Sequence, residues 1–262
     1  MVGHVEKYQR AAITFRRDYT EDLWSIRIQP EQRLEFKPGQ YATLGTEEGG
    51  RVVERAYSVC SSPLEGEIEF FFELVRQGQL TPPLYLLKTG DTVLLRRQAK
   101  GLFTLVESAK HHRHFLVCTV TGVAPYVSMV RTLTRQEEGG KRPNVKLFLL
   151  HAASRSQELA YDRELEGFAG RYNWLQYIPT ISRPWEDASW QGEVGRAEDV
   201  LRKYLDSFGF EPSNTIVYLC GHPQMIENSK GILIRCGFGK ESVRQEVYWV
   251  PKKEGVHLTH KY

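Results

Sequence analysis

The chain has 262 residues, 41% hydrophobic and 26% charged, with a formal net charge of +3, which suits two globular domains of ordinary size rather than a disordered chain. Basic and acidic residues number 15 each through Lys110, then 20 and 17, so neither half is the cationic block that nucleic-acid binding needs. Widely spaced Cys60, Cys118, Cys220 and Cys236 fit neither a CxxC metal site nor a disulfide scaffold. No apolar run approaches a membrane span and Met1-Val2-Gly3-His4 opens no signal peptide, so a reducing, cytoplasmic protein without a metal centre is expected.

Residues 5 to 16 and 23 to 28 read as strands, with Val5, Ile13 and Phe15 and then Leu23, Ile26 and Ile28 apolar among charges. Pro30 and Pro38-Gly39 punctuate the next connection, and residues 40 to 44 form another short strand before the Glu47-Glu48-Gly49-Gly50 loop. The segment Arg55-Ala56-Tyr57-Ser58-Val59-Cys60-Ser61 follows. Residues 67 to 75 carry Ile68, Phe70, Phe72 and Leu74 in period-two alternation, with Phe71 and Val75 on the other face. Gly78-Gln79-Leu80-Thr81-Pro82-Pro83 interrupts the strands and enters a short helix with Pro82 in its first turn. Residues 93 to 95 close the series. Short strands separated by turns predict an antiparallel barrel up to about residue 105.

After Lys110 the pattern changes. His111-His112-Arg113-His114 lacks the spacing of a tetrahedral metal site and reads as a surface linker. Strands are expected at 115 to 118, 145 to 150, 174 to 178 and 215 to 219, and helices at 126 to 135, 157 to 168, 197 to 208 and 224 to 236. That alternation predicts a parallel sheet covered on both faces.

In the opening strand segment, Arg55 and Tyr57 share one face, offering planar donors for a phosphate and a flat ring, while Ser58 points from the other side. The combination suits an anionic cofactor that contains a ring, though a barrel strand with an incidental arginine has the same look. Amides around Leu80 and Thr81 suit an anion and also suit a plain helix cap. In a parallel α/β domain the ligand lies at the carboxyl ends of the strands. Three loops qualify there. Thr119-Val120-Thr121-Gly122-Val123-Ala124-Pro125 allows close approach at Gly122. The segment from His151 to Gln157 carries Ser154 and Arg155 without an acid at the strand end, and with Ser182 and Arg183 it favours a 2′-phosphorylated dinucleotide. Cys220-Gly221-His222-Pro223-Gln224-Met225 places a small, soft side chain at the third strand end, without a fixed base to make it a nucleophile. Glu246-Val247-Tyr248-Trp249 then sets a carboxylate beside two aromatic rings, on an edge strand or a helix end.

Taken in order, these motifs resemble the ferredoxin–NADP+ reductase family, in particular the compact bacterial flavodoxin/ferredoxin reductases, over about residues 5 to 249. The resemblance implies a six-stranded antiparallel β-barrel for FAD over residues 1–110 and an α/β parallel-sheet domain for NADP(H) over 111–262, with an extension from about 250. It implies that Arg55 binds the FAD pyrophosphate, Tyr57 stacks on the isoalloxazine, Ser58 bonds near flavin N5, and Val59, Leu80 and Thr81 complete the FAD site. Thr121, Gly122 and Cys220 would line the nicotinamide path, Arg155, Ser182 and Arg183 the 2′-phosphate pocket. Glu246 would serve exchange at the flavin edge, and Tyr248 or Trp249 would cover a flavin face, with Tyr262 a weaker alternative. Ser58, Cys220 and Glu246 are the expected catalytic residues. The activity implied is hydride transfer between NADP(H) and FAD and single-electron exchange with ferredoxin or flavodoxin, by a monomer. The rival readings are an NADH-dependent reductase component of an oxygenase and a non-catalytic flavin-domain interaction protein. Two features depart from the pattern: the family usually has glycine where this chain has Val120, and compact members end near the aromatic pair.

Overall fold

A computed structural model of the protein describes residues 7–106 and 111–248. The N-terminal half contains β1 (Tyr8–Asp18), β2 (Leu23–Pro30), β3 (Tyr41–Glu48), β4 (Arg51–Ser58), β5 (Ile68–Glu73), helix α1 (Thr81–Leu86) and β6 (Thr92–Arg96). These strands pair antiparallel in the order β4-β3-β6-β1-β2-β5. A bridge between Val59 and Phe70, with Cys60 N donating to Glu69 O at 2.8 Å, joins the two edges and closes the barrel. The alternation in β5 has a physical meaning. Ile68, Phe70 and Phe72 fill the barrel, while Phe71 turns outward into the core shared with the second half.

The C-terminal half runs β7 (Arg113–Thr119), α2 (Ala124–Glu138), β8 (Lys146–Ala153), α3 (Asp162–Arg171), β9 (Leu175–Ile181), β10 (Glu193–Val194), α4 (Ala197–Ser207), β11 (Thr215–Gly221), α5 (Pro223–Arg235) and β12 (Val243–Val247). The strands form one parallel sheet, β10-β9-β8-β7-β11-β12. All of β11 is buried, as a strand covered by helices on both faces must be.

Glu47 and Glu48, expected in a loop, instead end β3, paired with Val52 and Arg51. Two further expectations need larger corrections. The helix expected over 157 to 168 begins only at Asp162, after a single 3-10 turn over Ser156–Glu158. Tyr161 interrupts it with φ of 66°, a left-handed conformation that a helix cannot continue through. The tyrosine is held there by tertiary contacts: its ring meets Phe71 and Tyr19, and its hydroxyl donates to Glu69 Oε1 at 2.9 Å. The second correction concerns His114, which belongs to no surface linker. It lies wholly buried inside β7 against Tyr218.

Burial pushes the His114 imidazole down to about 4, and that of His151, buried at the end of β8, to about 3. Both folded values lie below the unfolded one near 6.5, so the unfolded chain binds more protons in that window and stability falls as pH falls. Each histidine is expected to remove about 1.5 kcal/mol between pH 6.5 and 5, the slope rising towards about 1.4 kcal/mol per unit as the unfolded imidazole fills with protons. Urea midpoints at pH 7 and pH 5 test this; equal midpoints would contradict it.

The two halves are fastened along α2. Ser128 Oγ donates to Ser61 O at 2.7 Å, and the Thr132 and Ser62 hydroxyls bond to each other at 2.9 Å. Arg131 spans the seam, reaching Glu69 on β5 at 2.8 Å and Glu164 on α3 at 2.6 and 2.9 Å. A cleft of about 730 Å³ opens over this network, lined by Arg27, Glu65, Arg131, Arg135 and Glu164. Each of these residues is engaged in an ion pair.

Candidate active site

The loops after β7 and β11 are adjacent because those strands neighbour each other where the strand order reverses, the place at which open α/β sheets bind ligands. They touch so closely that glycine is required on both sides. A Cβ on Gly122 would collide with the Cys220 carbonyl, and one on Gly221, whose φ is 127°, would collide with Thr119. Thr119 Oγ1 accepts from His222 N at 2.8 Å and locks the pair.

Against these loops the barrel presents the end of β4. Ser58 Oγ donates to Glu246 Oε1 at 2.8 Å across the domain boundary. The Tyr248 hydroxyl donates to Ser58 Oγ at 3.1 Å and lies 3.5 Å from the Thr121 carbonyl. Cys220 Sγ donates in turn to the Tyr248 oxygen at 3.3 Å. Four expected residues thus form one directed chain: thiol to phenol, phenol to serine, serine to carboxylate. It is assembled by β12, whose parallel register sets Glu246 opposite Cys220. Tyr248 leaves 39% of its surface exposed while its hydroxyl turns inward.

Electrostatics differ along the chain. Burial pushes the Glu246 carboxyl above its ordinary value, and the Ser58 bond offsets part of that rise. Burial, reinforced by the charge of Glu246, pushes the Cys220 thiol well up, which suits a neutral packing group and not a thiolate nucleophile.

The rest of the barrel motif lies alongside. Arg55 is exposed and donates to two neutral acceptors, Glu54 O at 2.7 Å and Gln79 Oε1 at 3.4 Å, so its charge is left for an anion. Its contact with Gln79 brings the turn before α1 beside the end of β4. Leu80 and Thr81 are buried there. The Thr81 hydroxyl accepts from Val75 N at 3.0 Å and donates to Val75 O at 3.2 Å, which shapes the turn. The half-buried Tyr57 ring stands edge-on to Phe72 at 4.8 Å, and burial pushes its phenol up to about 12. Val59 is wholly buried in the barrel core, and its backbone N donates to Gln40 O at 3.0 Å, so its side chain packs inside the barrel. A guanidinium with no carboxylate partner among the described residues, a ring braced from behind and an interdomain hydroxyl together fit FAD.

At Val120 the backbone adopts φ of 43°, the conformation a glycine would take freely. A β-branched residue there costs about 1–3 kcal/mol. Packing holds it: Val120 is half-buried between the Leu159 and Ile181 cluster and the core around Leu149.

At the ends of β8 and β9 the structure brings Arg155, Ser182 and Arg183 together. Ser182 N donates to Ala153 O and Arg183 N to Ser154 O, each at 3.0 Å. It also brings acids that the sequence reading did not place there. Arg155 pairs with Glu158 at 3.1 Å and with Glu186, and Arg183 reaches Glu186 at 3.5 Å. A signal existed: Glu158 and Glu186 each lie three residues beyond their arginine, a spacing that pairs side chains once a 3-10 turn forms. Trp249, Tyr262 and the extension from about 250 lie outside the described residues.

Residues 17–103 match the oxidoreductase FAD-binding domain family and residues 116–230 the oxidoreductase NAD-binding domain family. A flavodoxin/ferredoxin–NADP reductase of Buchnera aphidicola subsp. Baizongia pistaciae is 30% identical over 227 residues, spanning 82% of this chain and 88% of that one. The chain belongs to the ferredoxin/flavodoxin–NADP reductase family. The Escherichia coli K12 flavodoxin/ferredoxin–NADP reductase is 31% identical over 83% of this chain and 86% of its own length. A solved ferredoxin NADP+ reductase from Neisseria gonorrhoeae, with bound FAD and NADP, shares the fold at a TM-score of 0.81, with 24% identity over 93% of this chain and 99% of that one. The electron transfer component XylA of the Pseudomonas putida xylene/toluene monooxygenase is 29% identical over 89% of this chain and 63% of its own length. As a member of the ferredoxin/flavodoxin–NADP reductase family, the chain is an oxidoreductase with an FAD-binding and a nicotinamide-nucleotide-binding domain. Among the described residues no helix is long and apolar enough to cross a membrane.

Proposed function

We propose that the protein is a ferredoxin–NADP+ reductase that passes hydride between NADP(H) and FAD and single electrons between FAD and ferredoxin or flavodoxin. The observation that carries this reading is the Cys220–Tyr248–Ser58–Glu246 chain, which joins the barrel to the nucleotide loops at one point. Bound FAD supplies the conversion between two-electron and one-electron chemistry. The protein's share is placement and field. Arg55 holds a diphosphate by charge, Tyr57 presents a braced ring, and Ser58 offers its hydroxyl near the flavin ring. Glu246, raised by burial, carries a proton at higher pH than an exposed carboxyl and serves exchange at the flavin edge. Cys220, Thr121 and Gly122 shape the nicotinamide path. Tyr248, half-exposed, covers the groove until a nicotinamide displaces it. Leu80, Thr81 and the Val59 backbone border the FAD site, with the domains divided at 110/111. Arg155, Ser182 and Arg183 receive the 2′-phosphate. The protein is a cytoplasmic monomer; its described cysteines, Cys60, Cys118, Cys220 and Cys236, are free thiols.

One second reading has an observation in its favour. Glu186 and Glu158 surround the two arginines with negative charge, an arrangement suited to an unphosphorylated ribose. That is the cofactor of an NADH-dependent oxygenase reductase component. One titration tests both readings. The purified protein is expected to be yellow, and anaerobic NADPH should bleach its flavin bands at lower concentration than NADH does. A preference for NADH would favour the oxygenase component. A colourless protein that takes up no FAD on reconstitution would overturn both and favour a binding role.

A further inference from the structure

The acids beside Arg155 and Arg183 do more than neutralise a surface. The segment after β9 returns over the loop after β8, and its two consecutive carboxylates engage the donors there. Glu186 takes Arg155 Nε and approaches Arg183 at 3.5 Å, while Asp187 accepts from the Ser156 hydroxyl. Arg155 is the main cause that holds the Glu186 carboxyl below its ordinary value, and the Ser156 hydroxyl does the same for Asp187. Two guanidinium groups and a hydroxyl converging on acceptor oxygens is the donor set a phosphate monoester would want. Here the chain supplies the acceptors itself.

We propose that Glu186, seconded by Asp187, is an internal surrogate for the 2′-phosphate and sets the selectivity between phosphorylated and unphosphorylated ribose. The proposal rests on the reading of Arg155 and Arg183 as the phosphate pocket and gives that pocket a competitor. With the surrogate in place, the two strand-end loops are already bridged and the arginines pre-aligned. A dianionic phosphate must displace Glu186 and leave that carboxylate near its own charge, which weakens its binding. A ribose 2′-hydroxyl makes no such demand and leaves the bridge closed. Glu186 therefore compresses the discrimination that two bare arginines would give.

Both acids lie on the surface, Glu186 with 31% of its side chain exposed, so their removal leaves the core intact. The test is calorimetric binding of adenosine 2′,5′-bisphosphate and adenosine 5′-monophosphate to the full-length, FAD-loaded protein at low ionic strength. Glu186→Gln, which keeps shape and loses charge, is expected to bind the bisphosphate about ten-fold more tightly and the monophosphate unchanged. Asp187→Asn should act in the same direction with a smaller change, and Glu186→Asp should stay near the parent. Arg155→Ala in the parent background should weaken the bisphosphate alone. If Arg155→Ala does so but Glu186→Gln gains nothing, the surrogate is wrong and the phosphate pocket stands. If neither substitution changes binding of either ligand, both are wrong.

Discussion

Replacing Arg131 with leucine is expected to lower the unfolding free energy by about 3–5 kcal/mol, the cost of stripping a buried charge of its partner. Arg131 has 9% of its side chain exposed and faces Glu69, with 4% exposed. Burial alone would push the Glu69 carboxyl up; Arg131, with help from the Tyr161 hydroxyl and Arg27, outweighs it and holds the group below its ordinary value. In the variant, Arg27, which leaves 44% of its side chain in water, is the cation left beside Glu69. The pH dependence separates this charge effect from lost packing. In the parent, the Glu69 contribution is present above the ordinary carboxylate range and is lost as pH falls through its depressed folded value. In the variant only the Tyr161 hydroxyl and the half-exposed Arg27 oppose the burial that raises the Glu69 carboxyl, so its penalty is relieved on acidification. The stability gap between the two proteins should therefore narrow as pH falls from 7 towards 4. A thermal and urea series over that range reads it. A gap independent of pH would assign the loss to packing alone.

Glu69 also shows where sequence reading runs out. Its place in β5 was legible from the alternation of Ile68, Phe70 and Phe72, which requires a barrel wall. That alternation puts Glu69 on the outer face, where a charge looks unremarkable. Only the docking of the second half buries it, and the docking partners, Arg131 on α2 and Tyr161 just before α3, lie 62 and 92 residues away. His114 failed for a related reason: three neighbouring polar residues suggested a loop, and the strand was extended through it by pairing on both sides with β8 and β11. By contrast, the strand-end loops were readable because the constraint is local. Gly122 and Gly221 are needed wherever two such turns touch. Val120 was visible as an oddity in the sequence, but the left-handed backbone that makes it costly was not. Ser58 is legible as a donor on the strand and Glu246 through the family resemblance; that the two, 188 residues apart, bond directly comes only from the fold.

That bond is the basis of the second large effect. Ser58→Ala is expected to slow the bleaching of bound flavin by saturating NADPH about 100-fold, the size of effect seen when one positioned donor is removed from a reaction centre. NADPH affinity should change by less than about three-fold, because the loops after β7 and β11 are locked to each other by Thr119, Gly122 and Gly221. The substitution has a second consequence through Glu246. Burial raises that carboxyl and the Ser58 bond restrains the rise. Without the bond the carboxyl must climb further, so the carboxylate limb of the rate against pH should move to higher pH. Tyr248 loses its acceptor at 3.1 Å in the same variant, so Ser58→Thr, which keeps a hydroxyl, is the matching control and should recover most of the rate. Stopped-flow absorbance of the FAD-loaded protein, with flavin content measured for each variant, gives all three quantities. A Ser58→Ala protein that fills with flavin and bleaches at the parental rate would remove the hydroxyl from the reaction, and with it the reason for the Ser58–Glu246 contact to cross the domain boundary.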